Sequence, residues 1–129
     1  MATITEDYVS FETAKLLKEK GFNYPCRVIY SPKGIVKHYL KEEVYAHHLK
    51  GHKKLCPTLQ MAMKWLKKVH NILLFILPAQ ENGKLVYLVE VWTWNEEEGV
   101  YESTYAPVPR KEPEQAVEAA IKYCLENLI

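Results

Sequence analysis

Cysteine is sparse in this sequence, at 3 residues of 129. The number is odd and no paired spacing is present, which argues against a disulfide framework. Long apolar runs are missing too. The longest, ILLFIL at 72–77, has the length of a strand and falls far short of the ~20 residues of a membrane span. Neither sign of charge dominates, since 17 Lys and Arg stand against 16 Asp and Glu, for a net charge of +1. A dedicated nucleic-acid binder normally carries a larger basic excess. The opening MATITEDYVS is acidic and holds no apolar core, so it reads as no signal peptide. A phosphate loop, G-x-G-x-x-G, G-x-S-x-G and any triad order are also lacking. The expectation is a non-enzymatic protein in a reducing, cytoplasmic setting, with no cofactor and no membrane partner.

What is present describes one ordinary α+β domain spanning residues 1–129. The hydrophobic share is 48% and the charged share 26%, typical of a chain that builds its own core. Ser10 suits a helix cap, with Phe11, Ala14 and Leu17 on one face of a helix over 11–20 and Gly21 as its stop. CRVIY (26–30) and IVKHY (35–39) flank SPKG and read as a short hairpin. Residues 40–57 show no clear period. Thr58 caps a second helix to about His70, with Leu59, Ala62, Met63, Leu66 and Val69 as its stripe and Trp65 at the edge. Lys64, Lys67 and Lys68 gather on its opposite face.

Strands follow at 72–80, 84–94 and 100–106. Asn82-Gly83 is a strong two-residue hairpin signal, because both positions tolerate positive φ. Pro113 opens a last helix, whose stripe is Ala116, Val117, Ala120, Ile121, Cys124 and Leu128. The predicted order is α-β-β-α-β-β-β-α. It implies an antiparallel sheet of about five strands, with the helices packed mainly on one face.

Three groups of residues carry chemistry worth weighing. HHLKGHKKLC (47–56) places His48, His52 and Cys56 at i, i+4, i+8. On a helix they would share a face that zinc accepts, with His47 or His38 as a fourth ligand. Gly51 and Pro57 weaken such a helix, and the spacing matches no recognised metal motif. Cys56, two residues before a helix cap, is also a conceivable nucleophile with a histidine base. Lys53, Lys54, Lys64, Lys67 and Lys68 would form a phosphate-contacting patch if the loop lay against the second helix. Aromatic residues form the third group. Trp92 and Trp94 share one face of the long strand, and Tyr87, Val89 and Val91 share the other. One of these faces is left for further chain or for a partner to cover.

YVSFETAKLLKEKGF (8–22), CPTLQMAMKWLKKVHNI (56–72) and EQAVEAAIKYCLENLI (114–129) together resemble short uncharacterised proteins of Bacteroides-type gut bacteria and their prophages. The resemblance implies a phage-derived or mobile-element accessory protein and transfers no catalytic or binding residue. The expected function is therefore a protein-interaction module with a protein partner still to be identified, a homodimer formed through Trp92 and Trp94 being one form of it. A nucleic-acid-binding accessory protein ranks second, and a zinc protein built on His48, His52 and Cys56 third.

Overall fold

The computed structural model describes residues 7–39, 43–45, 49, 51–105 and 109–129. The chain groups into two compact units, Met1–Ala62 and Met63–Ile129. In the first, α1 (Phe11–Glu19) precedes β1 (Val28–Tyr30), β2 (Val36–His38) and β3 (Lys54–Leu55). Helix α2 (Leu59–His70) begins in the first unit and ends in the second. Then come β4 (Leu73–Glu81), β5 (Lys84–Asn95), β6 (Val100–Tyr105) and α3 (Pro113–Asn127).

Local chemistry sets most boundaries as expected. The Ser10 hydroxyl accepts the Thr13 N–H at 3.2 Å. At the other end of α1, Gly21 sits at φ +88. The Phe22 N–H returns to the Leu17 carbonyl at 2.9 Å and the Gly21 N–H to that of Lys18 at 3.2 Å, the paired bonds of a Schellman stop. The Thr58 hydroxyl accepts the Met61 N–H at 3.1 Å, and Asn71 ends α2 at φ +55. Asn82 and Gly83 both take positive φ and join β4 to β5 in antiparallel register from Leu73↔Trp92 to Glu81↔Lys84.

The single sheet of about five strands does not form. Two three-stranded antiparallel sheets replace it, ordered β2-β1-β3 and β4-β5-β6. The element that divides them is β3, which the sequence reading left inside a patternless connection. It pairs Ile29 with Leu55 and Tyr30 with Lys54, and so occupies the edge of β1 that β2 leaves open. With both edges taken, β1 pairs within the first sheet alone. The helices divide likewise: α1 lies against β3, and α3 against β5 and β4.

Two helical stripes also differ from expectation. On α2, Trp65 is 1% exposed and Val69 54% exposed, so the indole replaces the valine in the core. On α3, Leu125 is buried and Leu128 is not. The exchanged residues stand four and three positions apart, so each stripe shifts at its edge by about 40–60° while most of its other members stay covered.

Candidate functional site

The second unit carries a sheet with one covered face and one open face. Side chains alternate along β5. Val89 and Val91 are fully buried on the α3 side of the sheet. The other face bears Leu88, Trp92 and Trp94, and the register places Leu77 opposite Leu88, Leu73 opposite Trp92 and Tyr101 opposite Trp94. Phe75 is 49% exposed, Trp94 42% and Tyr101 39%.

Ring contacts hold this open face in shape. Phe75 meets Trp92 edge-on with centroids 6.4 Å apart. Trp94 meets Tyr101 in the same manner at 5.0 Å. The Tyr101 hydroxyl donates to Asn71 Oδ1 at 2.7 Å, tying the rim of β6 to the turn before β4. Between Leu88 and Trp92 on this face, opposite Phe75, stands Glu90, whose carboxylate accepts the Trp92 indole N–H. A charge in the middle of an apolar surface is thus held by its neighbour on the same strand. The sequence reading placed Trp92 and Trp94 on one face but missed Phe75 and Tyr101. Their registers to β5 depend on two turns at once, and only the first, Asn82-Gly83, had a clear signature.

The edges of this sheet are less receptive than its face. Tyr87 exchanges both backbone bonds with Arg110, at 2.7 and 3.0 Å. It is therefore a non-hydrogen-bonded partner of Pro78 across the β4 ladder. The proline nitrogen faces outward, where an incoming strand would need an N–H.

The remaining candidate residues fall as follows. His47 and His48 lie outside the described residues. His52 is exposed in a turn at 51–52, and Cys56 follows β3 and is buried. The described part of HHLKGHKKLC is turn and strand, so the one-faced helix that would gather ligands is not formed there. Among the described residues, no group of three or more His, Cys, Asp or Glu is placed to share a metal ion. The Cys56 thiol lies 3.7 Å from the Val9 carbonyl. Burial pushes the Cys26 and Cys124 thiols up to about 12, which removes the thiolate that nucleophilic chemistry requires.

Lys64, Lys67 and Lys68 are exposed on α2, as expected. Lys53 is exposed beside β3, while Lys54 is only 8% exposed. Strand pairing with Tyr30 covers the Lys54 stem and leaves this residue less exposed than Lys53. A titratable group the sequence did not single out is His70, in the last turn of α2. Its ring meets Trp65 edge-on with centroids 4.7 Å apart. Its Nε2 is buried without a hydrogen-bond partner among the described residues, and burial lowers its pKa. No described helix is long and apolar enough to cross a membrane. Comparisons with protein-family models, curated proteins and solved structures found no match, so the surface is read from its own geometry.

Proposed function

We propose that the chain is a small non-enzymatic protein-interaction module of the cytoplasm, and that a second copy covers the open face of the β4-β5-β6 sheet. The observation that carries this reading is the run of exposed or half-exposed apolar side chains from Phe75 through Trp92 to Trp94 and Tyr101. Aromatic residues are enriched in such surfaces because each offers a large apolar body. The Glu90 carboxylate on this face has a hydrogen-bond donor in Trp92, and the self-complementary apolar side chains around it suit a twofold copy of the same surface.

From strand rise and spacing, the face measures about 25 Å by 15 Å, so a dimer would bury roughly 750 Å² in total, in the range of weak, transient interfaces. Dissociation in the range of tens of micromolar is expected. The helical resemblance to short prophage proteins supports an accessory role of mobile-element origin.

Light scattering from 1 to about 200 µM, concentrations that bracket this affinity, tests the reading. The native chain should pass from monomer to dimer across the series. A Phe75→Lys/Trp94→Lys variant should stay monomeric while still unfolding cooperatively as a folded chain. A native chain that remains monomeric throughout overturns the proposal.

A further inference from the structure

Lysine side chains converge in the first unit around Phe11. The Lys15 ammonium lies 5.2 Å from the centre of the Phe11 ring, and so does that of Lys54. Lys18 reaches across from α1 and donates to the carbonyls of Gly51 at 3.3 Å and Lys53 at 3.2 Å. Lys54 donates to the His52 carbonyl at 2.7 Å. Lys54 is largely covered, and burial together with the charges of Lys18 and Lys15 lowers its pKa. Among the described residues, these lysines have carbonyl and ring partners and no carboxylate. Backbone carbonyls satisfy N–H donors, but they do not cancel three like charges.

Beside them is a small cavity of about 50 Å³ with an apolar floor, including Ala14, Leu17 and Phe22, and Lys18, Lys53 and Lys54 at its rim. That volume holds a group of a few heavy atoms, since a cavity of this kind needs only about 10–15 Å³ for one water. It suits a phosphate group.

We propose that Lys18 and Lys54, which line this cavity, together with Lys15 beside the Phe11 ring, bind the phosphate group of a small phosphate monoester. A monoester carries close to two negative charges near pH 7 and offers three acceptor oxygens. It answers a cluster of three ammonium groups better than the single charge of each nucleic-acid phosphodiester. The inference is independent of the sheet face, which belongs to the other unit.

Thermal unfolding at fixed ionic strength tests it, with sodium chloride replaced stepwise by inorganic phosphate or phenyl phosphate. A saturable rise in melting temperature of about 5 °C is expected at tenfold excess over the dissociation constant. In chloride, Lys15→Gln should be at least as stable as the native chain, because it relieves like-charge repulsion. In phosphate the order should reverse. A structural role for Lys15 alone would give the same order in both salts and would overturn the site. Equal stability of the native chain in both salts overturns it as well. If phosphate has no effect but a single-stranded oligonucleotide binds and the binding is lost in Lys15→Gln, the cluster reads a nucleic-acid backbone and the monoester assignment fails.

Discussion

The ring of Phe11 lies 3.4 Å from the point where a Cβ on Gly34 would stand. Gly34 is also at φ +86, in the turn between β1 and β2. Its N–H closes that turn on the Ser31 carbonyl at 2.9 Å. Two constraints therefore meet at one residue, a left-handed backbone and an aromatic neighbour. Gly99, at φ +68, has the first constraint alone, with nothing within 4 Å of its Cβ direction. Asparagine tolerates the left-handed region, so Gly99→Asn should cost little. At Gly34 the added Cβ stands in van der Waals contact with the Phe11 ring, which crowds the rest of the new side chain, so Gly34→Asn should cost about 1 kcal/mol more. Urea unfolding of the two variants checks this, and equal costs would remove Phe11 from the account.

Pro78 protects the outer edge of β4. Replacing it with threonine supplies the missing outward N–H and keeps a good strand former. Pro78→Thr should leave the fold intact and promote edge-to-edge association beyond a dimer. Sedimentation at high concentration measures this. A variant no more associated than the native chain would show that the edge is protected by something else.

His70 should make stability depend on pH. Burial lowers its pKa in the folded state, so on acidification the unfolded chain takes up the proton first. The stabilising contribution is complete above the unfolded value of about 6.5 and is lost as pH falls through the lowered folded value. Melting temperature should therefore drop between pH 7.5 and 5. His70→Phe keeps a ring against Trp65 and removes the titration, so it should flatten that slope. An identical slope in both proteins would assign the pH dependence to other groups.

The three thiols should be silent in the native protein. Cys26, Cys56 and Cys124 are buried, and two of them are held near 12. A thiol-reactive chromophore at pH 8 should label none of them within minutes, and all three after denaturation. Rapid labelling of one cysteine in the folded chain would contradict its burial.

The legible parts of this chain are those that a single residue decides. Ser10 and Thr58 cap helices because a short hydroxyl side chain reaches the N–H three residues on. Asn82 and Gly83 turn a hairpin because both accept positive φ, and Pro113 opens α3 because its missing N–H has no helical partner to lose. None of these requires knowledge of the rest of the molecule, and the alternation that put Trp92 and Trp94 on one face is local in the same sense.

What tertiary structure decided is which segment meets which. Two residues of β3 carry no period, yet their pairing with Ile29 and Tyr30 closes the first sheet and draws Lys54 inward. Trp65 rather than Val69 is covered on α2, and Leu125 rather than Leu128 on α3, because a helix turns its best-fitting stripe toward its neighbours. The lysine cluster around Phe11 joins residues about 40 positions apart, a distance over which no sequence period extends. Caps and turns are bonds between near neighbours, whereas sheet partners and charge clusters are chosen by packing across the whole unit.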